Sequence, residues 1–308
     1  MRYGLPYKGS KNQIAKWLID QLPPAETFVD LFFGGGAVTH AALLSGKYKR
    51  FIINDIDERL PKLFLECAYG KHTVESHPEW ISREEFHRRK ETDAYVALVW
   101  SFGNNKTSYI YGADIEQFKH DYHKAVFLDD TSLLEPYGYK ITSTHQKAVY
   151  DRYLEFNRQI RDIARSDLDS ITRQIEIERL QSLQSYGTTY ENVPIPPNSL
   201  IYCDIPYSDT DCGGYGGGTF DHNAFYEWAL QQDNIFISEY KMPMNFIEIA
   251  NVEKSVLCGT DNSATATERL YTNRRTYDRM SQRQKDVIAS NLATQISLFD
   301  YAFNPYQD

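Results

Sequence analysis

Asp204-Ile205-Pro206-Tyr207 follows directly on the apolar, β-prone run Ser199-Leu200-Ile201-Tyr202-Cys203. A carboxylate at a strand end can accept hydrogen bonds from a ligand, and an aromatic ring three residues on can stack against it. The same four residues also fit a plain strand stop, with Pro206 ending the pairing. Residues 211–218, DCGGYGGG, carry five glycines, Gly213, Gly214, Gly216, Gly217 and Gly218. Such a loop has much backbone entropy to lose on ordering, which suits a segment that closes over a ligand or merely spaces two elements.

A second candidate lies earlier. Phe28-Val29-Asp30-Leu31-Phe32-Phe33 ends an apolar run on Gly34-Gly35-Gly36 and opens a helix-like stretch. Gly34 and Gly36 let the backbone approach a ligand, and a helix start offers free N–H groups. A dinucleotide loop would read GxGxxG, but Thr39 stands at the third glycine position. Asp55 closes the next apolar strand, where an acid can bind the two hydroxyls of a ribose. The pattern fits an adenosine-containing ligand better than a nicotinamide one. A tight turn with Asp55 as a helix cap is the plain alternative.

These residues need a scaffold. The apolar spacing predicts a helix over 13–23, a strand over 27–33, a helix over 37–45 stopped by Gly46, a strand over 50–57 and a helix over 60–70. Strand, glycine turn, helix, strand is a βαβ unit, and its unbroken apolar strands suggest a parallel sheet. From 69 to 179 charges of both signs alternate with aromatics, which predicts an inserted, mostly helical domain. The α/β pattern resumes near 180 and runs to 308. A helix is expected over 225–232, a strand over 234–240 and a short helix around 245–250. Strands over 252–258 and 268–274 are expected as an antiparallel pair at the sheet edge. The fold class is therefore α/β, with 1–68 and 180–308 forming one domain and 69–179 another.

Composition narrows the function. The net charge of −9 argues against a protein that coats nucleic acid through bulk charge, but not against a local basic groove. The four cysteines, Cys67, Cys203, Cys212 and Cys258, form no CxxC pair and have no histidine at zinc spacing, so no metal is expected. Residues 1–13 lack the apolar core of a signal peptide, and no apolar run has the length of a membrane span. A cytoplasmic protein without membrane contact is expected.

Taken in order along the chain, three motifs and a closing strand resemble the Dam-like D12 class of amino-group DNA methyltransferases. The segment Tyr7-Lys8-Gly9-Ser10-Lys11 is similar to the family's opening W-x-G-x-K, with Tyr7 in the tryptophan place. Residues 28–36 followed by 52–57 resemble its S-adenosylmethionine motifs. Asp204-Ile205-Pro206-Tyr207 resembles its D-P-P-Y motif, and 267–274 its closing strand. The resemblance implies a Rossmann-like methyltransferase sheet with an inserted target-recognition domain. It implies cofactor contacts from Tyr7, Lys11, Asp30, Phe32, Gly34, Gly36, Asp55 and Asp204, with catalysis by Asp204, Ile205, Pro206 and Tyr207. The implied partners are double-stranded DNA and a restriction endonuclease of the same specificity, with the enzyme a monomer in a bacterial or phage-infected cell.

Adenine's amino nitrogen is a poor nucleophile because its lone pair is shared with the ring. Two acceptors aimed at its N–H groups, the Asp204 carboxylate and the Ile205 carbonyl, would favour a nucleophilic form. Ile205 departs from the family's proline, yet the group required there is a main-chain carbonyl, so activity is expected to survive. The target atom lies inside the duplex, so the base must leave the stack. In the insertion, Asn104, Asn105 and Lys106 can bond bases or phosphates, and Arg88 and Arg89 can sit on phosphate. For any single residue of that charged run, such as Arg88 or Arg89, a solvated helix face is the commoner explanation. Transfer to cytosine N4, and a DNA-binding protein that no longer methylates, remain open alternatives.

Overall fold

The computed structural model describes residues 3–73, 75–141, 149–160, 177–207, 220–258, 262–290 and 292. The glycine loop at 213–218, the middle of the polar stretch at 161–176 and the tail at 293–308 lie outside the described residues. The chain divides into two compact units. One comprises Met1–Asn12, Gly34–His40 and Arg59–Gln181; the other comprises Gln13–Phe33, Ala41–Glu58 and Ser182–Asp308.

The second unit holds the whole sheet. Its strands are β1 (Thr27–Asp30), β2 (Arg50–Asn54), β3 (Leu183–Tyr186), β4 (Ser199–Asp204), β5 (Ile235–Glu239), β6 (Phe246–Cys258) and β7 (Asn262–Asn273). They lie in the order β3-β2-β1-β4-β5-β7-β6. The first five are parallel and β7 runs antiparallel to both neighbours. Strands β1 and β5 are buried along their whole length and β4 as far as Cys203, as their unbroken apolar runs require. Alternate residues face opposite sides. Val29, Ile201, Cys203 and Ile237 join a core with Phe225 and Ala229 of the helix His222–Gln231. Phe28, Tyr48, Phe51 and Tyr202 form an aromatic layer of their own.

The short helix expected around 245–250 is instead the start of β6. A bulge between Glu248 and Ala250 inserts Ile249 as an extra residue. Phe246, Ile249 and Ala250 are thereby all buried. Their spacing of i, i+3, i+4 imitates a helix face, although a strand with one bulge produces it. The expected antiparallel pair is present as β6 and β7.

The described part of the other unit is mostly helical. It contains Arg59–Ala68, Arg83–Arg89, Ala94–Val99, Glu116–Leu128 and Val149–Ile160. Ser82 and Asp93 cap the second and third of these by accepting the N–H groups of Glu85 and Val96. Tyr122, Ala125, Val126, Leu134 and Phe156 form one buried cluster of this unit. Trp80 stacks on Tyr111 and meets Trp100 edge-on. No helix among the described residues is long and apolar enough to cross a membrane.

Candidate active site

In the sheet unit the candidate residues gather at the carboxyl ends of β1, β2 and β4. β1 has β2 on one side and β4 on the other, so successive connections leave it in opposite directions. Open α/β sheets place ligands at such a switch point. Asp30 is in register with Tyr202, so Asp204 extends two residues beyond it on the adjacent strand. Asp55 follows β2 directly, is buried, and its Oδ1 accepts the Asp57 N–H at 2.9 Å. Burial pushes the Cys203 thiol well up, and the Asp30 and Asp204 charges push it further. Both carboxylates therefore act on the end of β4.

Long-range bonds hold the tetrapeptide. The Ile205 side chain is buried in the core with Val29, Ile201 and Phe225, which accounts for an apolar residue at that position. The Pro206 carbonyl accepts a hydrogen bond from His222 Nε2 at 2.7 Å, so that nitrogen carries the ring proton. His222 opens the helix His222–Gln231, whose N-cap Asp221 accepts the Ala224 N–H at 3.0 Å. The Tyr207 hydroxyl donates to Glu268 Oε2 at 2.7 Å. Burial raises this phenol well above its ordinary value, and the Asp204 and Glu268 charges add to the effect. Asn54, at the end of β2, bonds to the Leu31 and Thr188 carbonyls, each at 3.0 Å, and ties the ends of β1 and β2 to the chain after β3. Phe32 packs among Tyr190, Phe220 and Phe225. Sequence reasoning missed His222, Glu268 and Asn54. The only signal for Glu268 was its place in the closing segment 267–274.

The other unit brings the N-terminal motif onto the glycine segment. The Leu5 N–H donates to the Gly35 carbonyl at 2.6 Å. Gly34 and Gly36 have φ of +51° and +70°. A Cβ on Gly34 would stand 3.3 Å from the Tyr7 ring, and one on Gly35 would be 2.7 Å from the Tyr7 Cβ. The lack of a side chain at Gly34 and Gly35 thus lets Tyr7 and Leu5 lie directly against this segment. Lys11 is buried, and a buried ammonium is stable only when paired or hydrogen-bonded. Lys106 Nζ lies 5.4 Å from the centre of the Tyr7 ring, in cation–π range.

The DNA candidates are arranged less simply. Asn104 Nδ2 donates to the Leu98 carbonyl, and Asn105 Oδ1 accepts from the Thr107 and Ser108 N–H groups, all at 2.9 Å. Both amides thus shape the loop 101–109, and Phe102 beside them is 69% exposed. Arg88 bonds Glu85 at 2.6 Å and Arg89 bonds Asp93 at 2.8 Å. Among the described residues, no group of three or more His, Cys, Asp or Glu side chains is placed to hold a metal ion.

His40 clamps the N-terminal segment. The Gly4 N–H donates to its Nδ1 at 3.0 Å, so the ring proton is on Nε2. Tyr3 and Phe64 meet the ring edge-on. Burial lowers His40 from 6.5 to about 4. The unfolded chain therefore takes up this proton first as pH falls from 6.5 towards 4, and His40 withdraws stability across that window but not above it. Between pH 7 and pH 5 the wild type is expected to lose about 2 kcal/mol more than His40→Gln, read from urea midpoints.

The parallel sheet with an antiparallel β7, and the acidic edge at its switch point, define a Rossmann-like methyltransferase. The model of the D12 class N6 adenine-specific DNA methyltransferases matches residues 7–224, and the chain belongs to that family. A search among curated proteins returns no significant match. The activity is methylation of adenine N6 in DNA with S-adenosylmethionine as donor. Within the sheet unit, the buried carboxylates of Asp30 and Asp55 have the chemistry to accept hydrogen bonds from that donor's hydroxyl and ammonium groups.

Proposed function

We propose that the chain methylates adenine at a specific site in double-stranded DNA, with Asp204 and the Ile205 carbonyl as the two acceptors for the amino group. The observation that carries this reading is the placement of Asp204 at the carboxyl edge beside Asp30, with His222 and Glu268 holding the two residues that close the motif. Hydrogen bonds from both amino protons draw the lone pair out of conjugation, so the nitrogen becomes nucleophilic. S-adenosylmethionine would supply an electrophilic sulfonium methyl group, with the S–C bond exchanged for the new N–C bond and a neutral thioether as leaving group. The Asp204 carboxylate stabilises the positive charge that develops on nitrogen before its extra proton is lost. Tyr207 supports the base, which has left the duplex stack.

Asp30 and Asp55 of the sheet unit, and Tyr7, Lys11, Gly34 and Gly36 of the other, are the proposed cofactor contacts. Phe32, whose ring is engaged by three aromatics, is proposed to contribute through its main chain. Lys106 and exposed Phe102 are proposed to face DNA, with Asn104 and Asn105 keeping their loop in shape. Arg88 and Arg89 reach phosphate by leaving their carboxylate partners. The test is to incubate the protein with labelled S-adenosylmethionine and unmethylated genomic DNA, then analyse nucleosides. Labelled N6-methyladenosine is expected as the deoxynucleoside. Label in N4-methylcytosine, or none in DNA, overturns the reading.

A further inference from the structure

We infer that Glu268 is a positioning residue for methyl transfer: it accepts the Tyr207 hydroxyl proton in a hydrogen bond and thereby fixes the ring that meets the adenine. The inference rests on the proposed role of Tyr207.

Glu268 is 1% exposed, on β7 near the end of β5. A buried carboxylate is costly unless strong donors reach it. The Tyr207 bond, at 2.7 Å to Oε2, has the length of a charge-assisted contact. The next residue of β7 serves the same purpose. Arg269 Nη1 donates to the Tyr240 carbonyl at 2.8 Å, and the Tyr240 N–H donates to Glu239 Oε1 at 2.7 Å. Tyr240, held by its own main chain, then meets the Tyr207 ring edge-on with centroids 4.5 Å apart. Tyr207 is therefore fixed at its hydroxyl by Glu268 and along its ring by Tyr240. Without the first, the ring can turn about its side-chain torsions and the face offered to the base is no longer set. The raised phenol keeps its proton at neutral pH, so the hydrogen bond persists where the enzyme works.

The test compares Glu268→Leu, Glu268→Gln, Tyr207→Phe, Tyr207→Ala and the double variant Glu268→Leu/Tyr207→Phe. The reading is single-turnover transfer of labelled methyl groups to unmethylated genomic DNA. Glu268→Leu keeps the volume and removes the buried charge, so it is expected to fold. It is expected to slow transfer about 10-fold, while the dissociation constant for S-adenosylmethionine changes less than about two-fold. Glu268→Gln keeps an acceptor and is expected to recover part of the rate, which a merely space-filling role would not require. In the Tyr207→Phe background, Glu268→Leu is expected to cause no further loss, because both changes remove one interaction.

Two results overturn the inference: wild-type transfer by Glu268→Leu, or an undiminished effect of Glu268→Leu when the hydroxyl is already gone. Should Glu268→Leu fail to fold, Tyr207→Phe breaks the same bond from the other side, and a wild-type rate for it also overturns the inference. Tyr207→Ala separates the levels. A wild-type rate there removes the proposed role of Tyr207 itself, whereas loss of transfer there with a fully active Glu268→Leu removes only the role of Glu268.

Discussion

Asp204→Ala is expected to lower methyl transfer about 10³-fold or more, with the fold intact. The substitution removes an acceptor for the amino group and the charge that offsets the developing cation, and each such preorganised contact is worth about 10²–10³ in rate. It also removes one of two groups that orient the nucleophile. Asp204 is only half-buried at the end of β4, so truncation leaves little cavity. The melting temperature is therefore expected to stay close to that of the wild type. Asp204→Asn keeps an acceptor oxygen without the charge, and a loss of about 10²-fold is expected. Single-turnover rates at saturating cofactor, with calorimetric titration of the cofactor, separate transfer from binding. An Asp204→Ala protein with near-normal turnover would rule out the mechanism.

The second large effect is expected at Gly4. Its φ is +73°, and an added Cβ would stand 2.4 Å from the Gly35 carbonyl oxygen and 2.6 Å from the Ala37 nitrogen. Every atom it meets belongs to the main chain, so no side chain can move aside. Gly4→Ala must lift the N-terminal segment off the glycine segment, breaking the Leu5–Gly35 and Gly4–His40 hydrogen bonds. A stability loss of about 3 kcal/mol or more is expected, read from urea midpoints, with weaker cofactor binding by calorimetry. Gly9 is the control. It has a φ of +81° with nothing within 4 Å of an added Cβ, so Gly9→Ala is expected to cost only the backbone penalty, about 1–2 kcal/mol. Equal losses at the two positions would refute the steric argument.

The contrast between these glycines shows what a linear reading can reach. A glycine between apolar segments signals conformational freedom, but Gly4 and Gly9 look alike until the main chain at 35–37 is in place. Strands β1, β2, β4 and β5 were legible because parallel strands buried on both faces need unbroken apolar runs. Asp204 was legible because it ends such a run. Segment 245–250 misled because the bulge at Ile249 changes the burial period within one strand. The partners of the tetrapeptide were out of reach, since His222 and Glu268 lie 16 and 61 residues from Pro206 and Tyr207. Neither is marked by local composition. Asn104, Asn105, Arg88 and Arg89 have residue types that suit DNA, yet their side chains make local bonds.

The position of β7, between β5 and the edge strand, also governs when the enzyme becomes competent during synthesis. Tyr207 leaves the ribosome 61 residues ahead of Glu268. Until β7 emerges, β5 has an unpaired edge and Tyr207 lacks its acceptor. A nascent chain halted after β5 contains the sequence of every parallel strand and of Asp30, Asp55 and Asp204, but not the acceptor for its motif tyrosine. Pairing across so long a separation is slow, and an open strand edge invites association with other chains. The hairpin that closes the sheet is thus also the step that ends this exposure.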